Sequence, residues 1–165
     1  MLYQMNSGSR FLFFCFVVVC SLSCNDKKSD PEKSDYIQAK LNGALWSPSS
    51  VNCILLNDTT NDFRVVDFSA SSSGKTITIE AKDNATGGSI NTGTRTYAAG
   101  SAYFGYNSSG TVYHTITGSL TIESVEASSQ LVTGSFDFTV EDNSGNQVHI
   151  SDGKFVKVSY ELKTQ

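Results

Sequence analysis

The sequence predicts an all-β fold, an antiparallel β-sandwich or a barrel-like variant of it with about ten strands. Three observations predict it. From Tyr36 onward apolar and polar residues alternate at period two, the spacing that sends successive side chains to opposite faces of a strand. Only two prolines occur, and Ser, Thr, Asn and Gly accompany β-branched and aromatic hydrophobes, as in β-rich exported modules. No stretch sustains a 3.6-residue apolar period over the length of a helix.

Before the alternation begins, the chain carries an address. Arg10 and the amino terminus supply positive charge, Phe11 to Cys20 is unbroken apolar sequence extended by Leu22, and no acid precedes Asp26. A spanning helix needs about 20 apolar residues. The run is shorter and has the flanks of a signal peptide, so residues 1–23 are expected to be removed on export. Met5 is an alternative start to Met1. The stretch Ser21-Leu22-Ser23-Cys24 resembles the lipobox of bacterial lipoproteins, in which the cysteine is acylated and becomes the mature N-terminus. Ser21 departs from the aliphatic residue that pattern prefers. Cys20 is a rival preceded by the bulkier Val19, and Cys24 is the expected lipid-attachment residue. Each acyl methylene in the bilayer contributes about 0.8 kcal/mol, and two or more chains anchor stably.

Residues 24–35 form a polar tether. Asn25 to Asp35 contains seven charged residues and no aliphatic or aromatic one, so it has no surface to bury. Acidic residues soon after the acylated cysteine resemble the sorting signals of surface-exposed Bacteroidota lipoproteins, although Lys27-Lys28 interrupts the acidic run. The remaining residues 36–165 are enough for a single domain with one core. Losing residues 1–23 removes only Arg10 of the 12 basic residues, leaving 11 against 16 acidic ones, a net charge of −5. Without a basic stripe, nucleic acid is excluded as a partner. Cys15 and Cys20 leave with the signal and Cys24 carries lipid, so Cys53 has no cysteine to pair with and no disulfide is expected.

Within the domain, Ile37, Ala39 and Leu41 share one strand face. Asn42-Gly43 tolerates the two positive φ angles of a type I′ hairpin turn, and Ala44 to Trp46 returns before Pro48. Val51 to Leu56 is a strand in which Val51, Cys53 and Leu55 face together, making Cys53 a small core hydrophobe. Phe63 to Ala70 and Lys75 to Lys82 pair across Ser72-Ser73-Gly74. Thr94 to Tyr97 and Ala102 to Tyr106 are shorter strands. Val112 to Thr117, Ser119 to Val125, Gly134 to Glu141, Gln147 to Ser151 and Lys154 to Tyr160 complete the set. The hexapeptides Thr117 to Ile122 and Thr133 to Phe138 match at a spacing of 16. They are expected on neighbouring strands, with their Gly-Ser pairs marking bends or close sheet contacts.

Ile37-Gln-Ala-Lys-Leu-Asn-Gly-Ala-Leu-Trp46, Leu131 to Val140 and Val148 to Phe155 resemble the opening and closing segments of a family of uncharacterised Bacteroidota lipoproteins. The similarity covers nearly all of residues 24–160. It implies an antiparallel β domain in the cell envelope with no assigned activity, so no functional residue is carried over from it.

No constellation in the chain supports catalysis. His114 and His149 each stand alone on a strand, without the further ligands at defined spacing that a metal site requires. Asp142-Asn-Ser-Gly-Asn146 lacks the sixth-position glycine of a calcium loop, and Gly153 stands where its twelfth-position glutamate belongs; turn chemistry explains it better. Asp137 and Glu141 share a polar strand face with Ser135 and Thr139, and Asp142 follows them. No nucleophile elbow of the Gly-x-Ser-x-Gly type occurs.

Trp46, Tyr97, Tyr103, Phe104, Tyr106 and Tyr113 offer aromatic surface to sugars, or packing for a core. Asp58-Thr59-Thr60 fits the short acceptor pattern of Bacteroidota O-glycosylation. The expected protein is an exported, lipid-anchored component of the cell envelope, at the outer membrane. It is a non-enzymatic binding module for a glycan or small envelope molecule, or else an accessory protein docking onto an envelope protein complex. No cofactor, metal or catalytic residue is expected, and no ligand-binding residue is assigned.

Overall fold

A computed structural model describes residues 36–61, 63–83 and 90–165. The signal segment 1–23, the tether 24–35 and the lipid-attachment residue Cys24 lie outside the described residues. The described residues form eleven strands and no helix: β1 (Tyr36–Leu41), β2 (Ala44–Trp46), β3 (Ser50–Asp58), β4 (Phe63–Ser72), β5 (Lys75–Asp83), β6 (Gly93–Thr96), β7 (Ala102–Ser108), β8 (Thr111–Glu126), β9 (Leu131–Glu141), β10 (Gln147–Ser159) and β11 (Glu161–Thr164). The all-β expectation holds.

The strands make one hydrogen-bonded sheet in the order β11-β3-β4-β5-β7-β8-β9-β10-β1-β2, with β6 pairing β8. Ring centroids of Phe68 on β4 and Phe155 on β10 lie 5.4 Å apart, and those of Phe104 on β7 and Phe138 on β9 lie 4.8 Å apart. Strands β4 and β10, far apart in the sheet order, meet only because the sheet curls back on itself, as a half-barrel around one core. Strand β8 carries the chain between the two sides: Thr111 to Tyr113 pair β7, and His114 to Glu126 pair β9. The single curled sheet is the barrel-like of the two expected forms. One expectation is corrected: the sheet is mixed rather than antiparallel, because β11 runs parallel to β3 from Glu161↔Ile54 to Thr164↔Asn57.

Hairpin chemistry sets the registers. Asn42 and Gly43 have φ of 49° and 83°, the pair of positive angles a type I′ turn requires, and Leu41 faces Ala44 across it. Ser73-Gly74 repeats the device between β4 and β5, as does Ser109-Gly110 between β7 and β8. Side chains then alternate as expected, except that Val51, at the parity of Cys53 and Leu55, is exposed near the start of β3, beyond the buried stretch of that face. Ile37, Ala39 and Leu41 are buried, as are Cys53 and Leu55, Phe68 and Ala70, and Ile77, Ile79 and Ala81. Core residues are drawn from 37 to 160, and Glu32–Gln165 is a compact unit that contains them all. That unit therefore carries its own core.

Bulges join pairs of expected strands into longer ones. Strand β8 absorbs Val112 to Thr117 and Ser119 to Val125, with register shifts at Thr115/Thr117 and Ile122/Ser124. Strand β10 absorbs Gln147 to Ser151 and all but the last residue of Lys154 to Tyr160, with shifts at Ile150/Gly153 and Phe155/Val158. Asp152 and Lys157 sit in these shifts at φ of 51° and 50°. Each extra residue resets the alternation, so Ile150, Gly153, Phe155 and Val158 all stay buried despite their uneven spacing. The freed Lys157 amide donates to Thr133 Oγ1 at 3.0 Å, and Asp152 accepts an ion pair from Lys40 at 2.8 Å.

The matched hexapeptides lie side by side on β8 and β9, paired through Gly118↔Phe138 and Ile122↔Gly134. Each glycine seats a phenyl ring on bare backbone. A Cβ at Gly118 would stand 2.5 Å from Phe138 Cβ and 2.8 Å from the Phe104 ring; one at Gly134 would run into Phe155 and the Thr121 carbonyl. Gly153 does the same under Phe136. Phe136, Phe138 and Phe155 are thereby gathered into one ring cluster at the centre of the core.

Candidate functional site

The structure disperses most of the chemistry that the sequence offered. Cys53 is buried in the core, and its thiol is pushed up to about 12 by desolvation and by the charge of Asp67. A thiol so protonated is a poor nucleophile. At pH 8, iodoacetamide is expected to leave Cys53 unmodified in the native protein and to alkylate it in urea. The linkage has one sign. The unfolded thiol ionises near its ordinary value of 9.0 and the folded one only near 12, so between those values the unfolded state alone releases its proton. Stability should fall across that window more steeply in the parent than in Cys53→Ala, measured by urea unfolding.

Each carboxylate near the β9–β10 hairpin has a local partner. Asp137 Oδ1 lies 3.1 Å from His149 Nε2, and Glu141 accepts from Gln147 Nε2 at 2.9 Å. Asp142 accepts from the Ser144 and Asn146 amides and from Asn146 Nδ2, and these hydrogen bonds, the Asn146 side chain first, hold its carboxyl below the usual range. His114 faces Glu141 in the β8–β9 register. Among the described residues, no group of three or more His, Cys, Asp or Glu side chains is placed to hold a metal ion. Asp58 closes its own turn by accepting from the Thr60 and Asn61 amides, and the Thr59 hydroxyl donates to the Gln165 carbonyl at 2.8 Å.

Of the aromatic candidates, Trp46, Phe104 and Tyr106 are buried core residues, and Tyr97 and Tyr113 pack against the core. Tyr103 remains, 44 % exposed on the opposite face of β7 from Phe104, as its parity predicts. The Tyr97 ring meets it edge-on at 6.3 Å and 86°. Lys82 Nζ lies 5.2 Å from the Tyr103 centroid and 3.2 Å from Glu80 Oε1. At a partly exposed site such a cation–π contact contributes about 0.5–1 kcal/mol.

Around this pair the outward face of the sheet departs from the polar norm. Ile54 and Leu56 on β3 and Phe63 and Val65 on β4 point away from the core, yet Val65 is only 8 % exposed. They floor a cavity of about 380 Å³ whose walls include Lys82 and Lys163. Lysine stems cover apolar surface while their heads stay in water. Beyond Lys82 lies a second cavity of about 520 Å³, bounded by Asn91, Thr92, Thr94 and Ser101 among others. At its back Arg95, buried on β6, bonds Asp83 Oδ2 at 3.0 Å, the Asn91 carbonyl at 2.6 Å and the Gly93 carbonyl at 3.1 Å. The Asn91 amide donates to the same carboxylate oxygen at 2.8 Å. This buried pair fixes the chain entering β6 and shapes the cavity wall.

Sequence reasoning missed this groove, although a signal for it existed. Cys53-Ile54-Leu55-Leu56 and Val65-Val66 break the alternation with apolar residues at both parities, which marks a strand with something to cover on each face. The arrangement presents a shallow, two-part surface beside one exposed aromatic ring.

A family model described as a domain of unknown function, DUF6252, matches residues 33–159. No curated protein and no solved structure matches the chain.

Proposed function

The chain belongs to the DUF6252 family, and from that premise, which carries no activity with it, we propose a lipid-anchored binding module of the Bacteroidota cell envelope. Residues 1–23 direct export, Cys24 carries the lipid at the outer membrane, and the polar tether holds the β domain clear of the headgroups. The domain binds a glycan or a small envelope molecule without transforming it. The observation that carries this reading is the outward groove lined by Lys82 and the apolar floor of Ile54, Leu56 and Val65, with the exposed Tyr103 ring beside it, 5.2 Å from Lys82 Nζ. Exposed aromatic side chains flanked by a few polar groups are what shallow ligand sites use. The local engagement of Asp137, Glu141 and Asp142 supports binding over hydrolysis.

Two measurements test the two halves of the proposal. Intact mass of the membrane fraction should find acylated Cys24 as the N-terminus, with Cys24→Ala released from the membrane; retention of residues 1–23 would contradict the address. A thermal-shift screen of residues 32–165 against glycans and envelope extracts should give a specific stabilisation that Tyr103→Ala abolishes. Stabilisation that persists in Tyr103→Ala would move the site elsewhere.

A second reading, an accessory protein docking onto an envelope complex, is favoured by Leu45 and Val112. They are 71 % and 68 % exposed, and Leu45 lies on the sheet-edge strand β2. Edge strands and exposed apolar side chains are surfaces that partner proteins cover.

A further inference from the structure

We infer that the groove takes an amphiphile, a ligand with an uncharged polyhydroxylated head and a hydrocarbon chain, the two parts lying on opposite sides of Lys82. The inference rests on the binding reading above and specifies its ligand. Lys82 lines both cavities, so the two are compartments of one groove with contrasting walls.

The compartment over β3 and β4 is built for hydrocarbon. Ile54, Leu56, Phe63 and Val65 floor it at positions where a solvated sheet face would carry polar residues. Val65 is largely withdrawn from water although it stands outside the main core cluster. The rim of this compartment is polar: Asp67, Glu80, Lys82, Lys163 and Gln165 stand around the floor, with Lys163 Nζ 3.6 Å from Glu161 and Lys82 Nζ 3.2 Å from Glu80. Each methylene seated on such a floor strengthens binding by roughly fourfold when fully buried.

The compartment on the other side of Lys82 is built for hydroxyls. Asn91, Thr92, Thr94 and Ser101 bring neutral amide and hydroxyl groups to its wall, and Gly93 and Gly100 bare their backbone there. Its charges are matched: Arg95 with Asp83 at 3.0 Å, and Lys82 with Glu80. An anionic head would therefore meet no uncompensated cation among these groups. A head that both donates and accepts hydrogen bonds, as a sugar does, matches them.

The test is an NMR amide-shift titration of residues 32–165 with octyl glucoside below its micellar concentration, with glucose and with octanol. Octyl glucoside is expected to shift the amides of Leu56 and Val65 together with those of Thr94 and Ser101. It should bind at least tenfold more tightly than glucose or octanol. Leu56→Asn, with its fold checked by amide dispersion, should lose that advantage and keep the glucose-induced shifts at Thr94 and Ser101. Glucose or octanol binding in the groove as tightly as octyl glucoside would overturn the amphiphile and leave a binding site in place. Silence of the groove toward all three would overturn the amphiphile and the binding site together.

Discussion

Gly134→Val is expected to lower the stability of the domain by more than about 3 kcal/mol and to leave much of the protein unfolded at 37 °C. Gly134 has ordinary strand geometry, with no positive φ, so the cost is entirely one of space. Its missing Cβ is the site where the Phe155 ring rests, and the Thr121 carbonyl approaches from the other side. A ring can turn aside, at the cost of its contacts with Phe68 and Phe136. A carbonyl in the β8–β9 ladder moves only by breaking register, and that carbonyl is what sets the size of the effect. Gly43 is the control: nothing lies within 4 Å of a Cβ there, and its φ of 83° leaves only backbone strain. Gly43→Ala should cost about 1 kcal/mol. Urea unfolding of both variants decides the matter, and a Gly134→Val protein as stable as Gly43→Ala would mean the ring is not seated on the backbone.

Arg95→Met is expected to cost about 3 kcal/mol, because it leaves the Asp83 carboxylate without its buried counter-charge. The same change strands the Asn91 and Gly93 carbonyls that the guanidinium now satisfies. Combining Arg95→Met with Asp83→Leu should recover a substantial part of the loss, since no unpaired charge then remains. A double-mutant cycle measured by urea unfolding gives the coupling directly. Additive losses would show that the two side chains stabilise the β6 entry separately. The loss should also change little with salt, since Arg95 is only 8 % and Asp83 17 % exposed.

Much of this fold is legible in the sequence because alternation and turn chemistry agree. Ile77, Ile79 and Ala81 alternate on β5, and Ser73-Gly74 supplies the positive φ angles just before it. Legibility ends where a residue is inserted into a ladder. Asp152 and Lys157 carry no mark that distinguishes them from ordinary loop residues, so β10 reads as two strands until the core shows that one face is continuous. Strand β11 is not legible in the sequence, because Glu-Leu-Lys-Thr alternates too briefly to register and all four residues are exposed. Its pairing depends on a distant partner rather than on local pattern. The glycines of the matched hexapeptides were legible as points of close contact; which rings they admit was not, since that depends on the register of β8, β9 and β10. The candidate groove was visible only as an interruption, the apolar residues at both parities of β3 and β4, and in a sequence that reads equally as extra core.

The attachment of β11 carries a consequence for how the domain is made. The Thr59 hydroxyl and the carbonyl it meets at Gln165 are separated by 106 positions, whereas the β4–β5 and β7–β8 hairpins close through turns of two residues. Loop closure over such a span is slow relative to hairpin formation, and sequence-distant pairings dominate the folding time of β proteins. The hairpins therefore form first, and the parallel pairing of β11 with β3 comes late. Lys163, which walls the apolar compartment, arrives with that strand. The pairing of β1 with β10 spans as much sequence, so the groove is expected to be completed among the late steps of folding, and its outer wall, a short exposed edge strand, to open early under mild denaturant. Amide exchange at Leu162 and Lys163 should run ahead of global unfolding while Ile77 and Ile79 remain protected.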